Sequence, residues 1–289
     1  MSISLLLMPL LAQAAGTIGS PYASSLPLEI IEKKNDEARK QAQERAYAGP
    51  AAPVSRKGCM DLVQSDPQGS ANLAQEALYE AMGRERVRAG LCLGAALTVL
   101  ERFDEAREAF VTARDATEAE DHVSRARLGD MAANAELAQG NGAKALLLLG
   151  PALTEAKASG DDRVLAEVQI DRARGLVAVD QAEQAADALA AARVADPENA
   201  QAWLLSATLA RRQDQLIVAS GQIETAAKLA PRDPAVGLEA GVIAMLSGEA
   251  DAARRSWQSV LDVAPQSPEA QTAKTYLAQT APDDGPERP

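Results

Sequence analysis

The chain has 289 residues, 47% of them hydrophobic but only 3% aromatic, and no long alternating Val/Ile/Thr runs, so an all-α fold is expected and a sheet is not. Against 41 Asp and Glu stand 29 Lys and Arg, a formal charge of -12, and such a surface repels a polyanion, which disfavours nucleic acid as a partner. One histidine (His122) and two cysteines leave too few soft ligands for a zinc site.

Residues 3–12 (ISLLLMPLLA) form an apolar run too short to span a bilayer as a helix. It ends in Ala12-Gln13-Ala14, a small-x-small pattern suited to signal peptidase, so residues 1–14 read as a secretory signal peptide. No Lys or Arg precedes the run, and a cytoplasmic chain with an apolar tail is the alternative. Export predicts a periplasmic or otherwise exported protein, with no integral membrane segment in the mature chain. Residues 15–55 read as a linker carrying one charged helix over residues 29–47, which has few apolar positions and is expected to be solvated. Gly49-Pro50-Ala51-Ala52-Pro53 ends it.

From residue 56 the pattern tightens. Residues 57–64 predict a short helix carrying Cys59 and Leu62. Asp66-Pro67-Gln68-Gly69-Ser70 predicts a turn, and residues 72–82 a helix with Ala74, Ala77, Leu78 and Ala81 on one face. Further on, landmarks recur every 34 residues: Pro197, Pro231 and Pro265; Ala219 and Ala253; Ile223 and Trp257; Ala226 and Val260. A fixed period of this length indicates stacked two-helix units. Small residues at Gly94 and Ala106 let the helices of one hairpin cross closely. Phe110 fills the space between one hairpin and the next, and the prolines stop the second helix of a unit.

These residues resemble the tetratricopeptide-repeat family. Leu93, Gly94 and Leu97, then Ala106, Phe110 and Ala113, stand in the diagnostic places of a first unit. Ala133, Ala145, Leu149 and Ala152 do so in a second, and Ala173, Leu176, Ala185, Leu189 and Ala192 in a third. Trp203, Ala207, Ala219 and Ile223 mark the fourth; Gly241, Ala253 and Trp257 mark the fifth. The resemblance implies a right-handed superhelical solenoid over residues 56–280: five clear repeats, a degenerate pair before them and a capping helix over residues 269–279. Residues 281–289 read as a disordered tail. Ala106 to Ala145 is 39 residues and Ala145 to Ala185 is 40, and the surplus is assigned to polar turns at residues 117–123 and 158–164.

The family resemblance implies a non-catalytic scaffold that binds a protein or peptide in a concave groove lined by first helices. Carried over by motif position, the groove would present Arg88, Leu91, Ala95, Arg127, Asp130, Asn134, Glu167, Ile170 and Arg174. Further along it would present Gln201, Leu204, Thr208, Arg211, Leu238, Val242 and Met245. Arg88, Arg127, Arg174 and Arg211, with Arg212, could form a stripe for an acidic peptide or a C-terminal carboxylate, or could be solvated charges balanced by nearby acids. Leu238, Val242 and Met245 read either as an apolar grip or as core. The Lys/Asn clamp of the chaperone-binding subclass is missing, since Leu91, Ala95, Gln201 and Leu205 occupy its places.

Arg172 falls where the motif buries an apolar residue, so it needs a partner or a rotated helix. Cys59 and Cys92 lie 33 residues apart; if the repeat extends back to Cys59, they sit near each other on neighbouring helices, either as a disulfide or as two buried thiols. No nucleophile elbow, phosphate-cradling loop or metal-ligand cluster is present, so no catalytic residue and no cofactor is assigned, and His122 reads as a surface residue. The alternative function is a structural component of a cell-envelope assembly or a secretion or polysaccharide-export complex, working through the outer face and the charged N-terminal helix.

Overall fold

In the computed structural model the described residues are 59–280. The signal peptide, linker, charged helix and tail read from the sequence lie outside them. The described residues form thirteen α-helices and no strand. A short α1 (Cys59–Leu62) and α2 (Pro67–Glu80) precede five hairpins. These are α3/α4 (Gly83–Val99, Phe103–Asp115), α5/α6 (His122–Ala138, Gly142–Ser159), α7/α8 (Asp162–Ala178, Ala182–Ala195), α9/α10 (Ala200–Arg212, Leu216–Leu229) and α11/α12 (Pro234–Leu246, Ala250–Val263). The last helix, α13 (Pro268–Gln279), covers the end of the stack.

The helix starts are written in side-chain oxygens. Asp121, Asp161, Asn199, Asp233 and Ser267 each accept a hydrogen bond from a backbone N–H in the first turn of α5, α7, α9, α11 and α13. The second helices have no such side-chain cap, because each follows directly from a tight turn. Five of these turns are built alike. Glu101, Gly140, Asp180, Asp214 and Gly248 all take positive φ. The N–H that follows each of them donates 2.9 Å back to the carbonyl of Leu97, Glu136, Leu176, Ala210 or Ala244. Glycine adopts this left-handed geometry without strain; Glu101, Asp180 and Asp214 hold it against a Cβ penalty.

Two expectations about helix limits are corrected. The helix predicted for residues 72–82 begins at Pro67, because Asp66 accepts from the N–H of Gly69 and Pro67 needs no N–H partner at the first helical position. The surplus residues of the early units are also not simply loop. The first helices α3, α5 and α7 have 17 residues against 13 in α9 and α11, so much of the insertion becomes one more helical turn. The α6 helix likewise runs to Ser159 before Gly160 ends it with positive φ.

Packing follows the small-against-large rule. A Cβ on Gly94 would collide with the Phe110 ring, and one on Gly241 with the Trp257 indole, whose Nε1 donates 3.2 Å to the Leu238 carbonyl. Each hairpin hides Ala106, Ala145, Ala185, Ala219 or Ala253 completely. Buried residues from adjacent units join into shared clusters, such as Ala207, Ala219 and Ile223 with Val236 and Ile243. First helices also touch one another along α5, α7, α9, α11 and α13, while successive second helices do not pack on one another comparably. The array therefore curves with its first helices on the inner side.

Cys59 and Cys92 are joined in a disulfide between α1 and α3, with Cα atoms 6.1 Å apart. The fully buried Ser70 hydroxyl of α2 lies beside both, 3.1 Å from the Cys59 carbonyl oxygen. The link pins the irregular first turn onto the regular stack. Arg172, expected at a buried place, is only half-buried; the buried polar residue there is its neighbour Asp171.

Gly241→Ala is expected to lower stability by about 1–3 kcal/mol through the clash with Trp257. Gly221→Ala, in mid-α10 with no atom near its new Cβ, is expected to be neutral or to raise stability by up to about 1 kcal/mol. Urea denaturation followed by circular dichroism distinguishes them; equal effects would refute the packing assignment.

Candidate inner-face binding site

Along the inner face the chemistry changes from unit to unit. At the N-terminal end the longer connection of residues 116–121 separates α3 from α5 and leaves a cleft of about 510 Å³. Arg84, Val87 and Arg88 line one side of it, and Glu118, Glu120 and Asp121 the other. Arg88 is exposed there. Among the described residues the ion pair across the cleft is Arg84 with Glu118 at 3.9 Å, both well exposed and therefore weak.

Between α5 and α7 lies a charged network. Asn134 Nδ2 donates 2.7 Å to Asp171 Oδ2, and Arg174 Nη1 donates 2.6 Å to Asp171 Oδ1. Arg127 stands 3.9 Å from Glu167. Asp171 is 6% exposed, and these two donors satisfy its oxygens. Asp130 joins the network from α5. Its Oδ1 is shielded from solvent and has no hydrogen-bond partner. Burial pushes Asp130 well above the usual carboxylate range; the Asp171 charge, a hydrogen bond to Asp171 and the charge of Glu167 push the same way, and Arg174 opposes them. The arrangement is two carboxyls sharing a site, in which burial and a like charge favour the protonated form of Asp130.

Between α7 and α9 the surface turns apolar. Ala173, Val177, Leu205 and Leu209 form the walls of a cleft of about 190 Å³, with Leu189 of α8 among its apolar lining, and Arg174, Thr208 and Arg212 contribute its polar groups. One unit further on, Arg211 reaches across to α11, where Nε donates 2.6 Å and Nη2 3.3 Å to the two oxygens of Glu239. Leu238, Val242 and Met245 of α11 are half-buried and pack against the cluster around Trp257.

The candidates read from the sequence thus separate into distinct settings. Arg127, Asn134 and Arg174 come together in one network; Arg88 and Arg211 do not join them. Arg127, Arg174 and Arg211 each face a carboxylate. Two residues assigned to the groove lie in the core instead. Leu204 belongs to the buried cluster with Ala207 and Val236, and Ile170 packs with Ala192 and Ala202, because this register of the first helix turns toward the following unit's core.

His122, read as a surface residue, is partly exposed and paired. Its Nδ1 lies 2.7 Å from Glu155 Oε2, and Arg125 Nε donates 2.7 Å to Glu155 Oε1. His122 and then Arg125 hold Glu155 below its ordinary value. The sequence reading missed Asp171 and Glu239 as partners. Their signal was an acid one position beyond the assigned groove residues Ile170 of α7 and Leu238 of α11. Among the described residues no three His, Cys, Asp or Glu side chains are placed to hold a metal, and no helix is long and apolar enough to cross a membrane.

No family model matches the chain, and no curated protein does. Solved structures do. The chain is similar to PilW, described as a widely conserved type IV pilus biogenesis factor, at 17% identity and a TM-score of 0.60 over 75% of this chain and 94% of that one. Pseudomonas aeruginosa PilF matches at 14% identity and a TM-score of 0.57, over 74% and 92%. TTC0263, described as a thermophilic TPR protein in Thermus thermophilus, matches at 19% identity and 0.51, over 67% and 98%. At these identities the likeness establishes the fold.

Because its folded-state value is raised, Asp130 contributes stability that is fully present below its unfolded value and is lost as pH rises through the folded one. Asp130→Asn, whose amide can donate to Asp171 at any pH, is expected to stabilise the chain at pH 7 by on the order of 1 kcal/mol. That gain should shrink toward pH 4. Thermal melts of the two proteins across pH 4–8 check this, and a destabilised variant at pH 7 would refute the protonated form of Asp130.

Proposed function

We propose that this chain, which has the tetratricopeptide-repeat fold, is a protein-interaction scaffold that captures a protein or peptide along the inner face of its array, outside the cytoplasm. The observation that carries this reading is the run of first helices along one concave side, where charged and apolar side chains remain open between units. Arg88, Arg127, Asn134, Arg174, Thr208 and Arg211 are the polar residues proposed to meet the partner, with Leu238 and Val242 offering apolar surface farther along. The arginines paired to Glu167, Asp171 and Glu239 serve as preset geometry: a partner carboxylate or backbone carbonyl adds to a guanidinium that its own neighbour already orients. No catalytic role is proposed for any residue.

The Cys59–Cys92 disulfide supports export, since such links persist in oxidising compartments. The apolar run before Ala14 supports the same compartment, with residues 1–14 removed. A second reading is a structural component of an envelope assembly or a secretion or polysaccharide-export complex. The likeness to a pilus biogenesis factor favours it, and so do exposed apolar side chains on second helices: Leu147 on α6, Val194 on α8 and Ile217 on α10, the last 92% exposed.

Affinity capture from native envelope extract separates the two. The double variant Arg88→Glu, Arg127→Glu is expected to cut retained partner by about tenfold or more while the fold stays intact. Val194→Glu, Ile217→Glu should leave it unchanged; the reverse pattern would establish the assembly reading. Intact-mass measurement of the native protein is expected to show a chain beginning after Ala14 with no free thiol. An uncleaved, fully reduced chain would refute export.

A further inference from the structure

We infer that the crevice between α8, α9 and α10, on the outer side of the array, is a docking point for an acidic side chain of a partner protein. It lies away from the inner face and goes beyond the capture proposed there.

The first argument is a cation without an anion. Arg193 of α8 is half-buried at this crevice, and its guanidinium lies over the Trp203 ring of α9, 4.8 Å from the ring centre. Trp203 is itself fixed, since its Nε1 donates 2.8 Å to the Pro197 carbonyl. Arg193 Nε makes a long bond of 3.4 Å to the Leu189 carbonyl of its own helix. Its two Nη groups make no hydrogen bond and no ion pair among the described residues. Burial lowers this guanidinium from its usual value, and no neighbouring carboxylate offsets the cost. A charge held partly out of water is relieved by an incoming counter-charge, and the stacked ring presents the fork already oriented.

The rest of the lining fits the same ligand. No Asp or Glu lines the crevice, whereas Gln213, Gln215 and Gln222 do. Gln222 Oε1 is shielded from solvent and has no hydrogen-bond partner. Half a turn of its terminal amide puts Nε2 there instead, a second donor to the carboxylate that Arg193 holds. The Ser206 hydroxyl is already committed, donating 2.7 Å to the Ala202 carbonyl. A carboxamide would meet Gln222 as it stands, but a bond between two charged groups is about twice as strong as a neutral one, which favours the acid. The space is about 60 Å³, or roughly two waters at about 30 Å³ each. That admits a head group and no main chain, so the rest of the side chain leaves past Val218, 48% exposed at the rim.

The probes are the C-terminal amides of Ac-Ala-Glu-Ala and Ac-Ala-Gln-Ala, Ac-Ala-Ala-Ala with a free C-terminus, and inorganic phosphate. Each is titrated into the full chain at constant ionic strength. NMR follows the Arg193 Nε–H and the indole N–H signals of Trp203 and Trp257. The Glu peptide is expected to shift Arg193 and Trp203 saturably, to leave Trp257 in place, and to bind about tenfold tighter than the Gln peptide. Arg193→Lys, which keeps the charge and loses the planar fork, should weaken Glu-peptide binding severalfold. Gln222→Glu supplies a carboxylate from within, so it should abolish Glu-peptide binding and raise the melting temperature. Undiminished binding or a lowered melting temperature in Gln222→Glu overturns the inference. So does equal binding of the Glu and Gln peptides, or no shift with any probe. Tighter binding of the free-acid peptide or of phosphate overturns it in favour of a chain end or a small anion. Self-association that Gln222→Glu abolishes overturns it in favour of a second copy. The Arg88→Glu, Arg127→Glu result bears on the inner face alone, so neither reading falls with the other.

Discussion

The structure depends on the closeness with which the two helices of each hairpin pack on one another. Gly94 lies against the Phe110 ring and Gly241 against the Trp257 indole. Completely buried alanines at the crossing of every hairpin allow the same approach in between. No single hairpin could hide enough apolar surface to stand alone, so stability comes from shared clusters that bridge one unit to the next. The curvature follows from this contact, because first helices touch successive first helices while the second helices diverge. The inner face is thus a by-product of core packing.

On that inner face, polar residues do two jobs at once. Asn134 of α5 holds Asp171 of α7, which Arg174 of the same helix also engages, and Arg211 of α9 holds Glu239 of α11. Each pair fixes the relative rotation of two units as well as presenting charge to the groove. A surface ion pair contributes little to stability, but a half-buried, two-pronged one such as Arg211 with Glu239 has directional consequence. The Asp130–Asp171 pair shows the opposite tension. Low exposure and a like charge make an ionised Asp130 costly beside Asp171.

The early units differ from the later ones in a way that shapes the groove. An extra turn at the start of α3, α5 and α7 carries His122 and Arg125, which both fasten on Glu155 of α6. The same insertion separates α3 from α5 and opens the cleft at Arg88. From α9 onward the strict 34-residue spacing returns. The groove therefore runs from a wide, mixed-charge end to a narrower, more apolar one.

The all-helical class, the five units and most of the crossing residues were legible in the linear chain. Period, small-residue places and aromatic places are local properties that survive in a linear text. Cap residues such as Asn199 and Asp233 act within three residues of themselves, though the sequence reading did not single them out. Which arginines stand free emerged only once the helices were packed. Arg174 and Arg212 look alike in the chain, but one meets Asp171 and the other meets nothing among the described residues. Leu204 and Ile170 were assigned to the groove by position and lie in the core, because a small rotation of a first helix moves a side chain from one face to the next. Such rotations are set by packing between units, and no short window of sequence contains both partners.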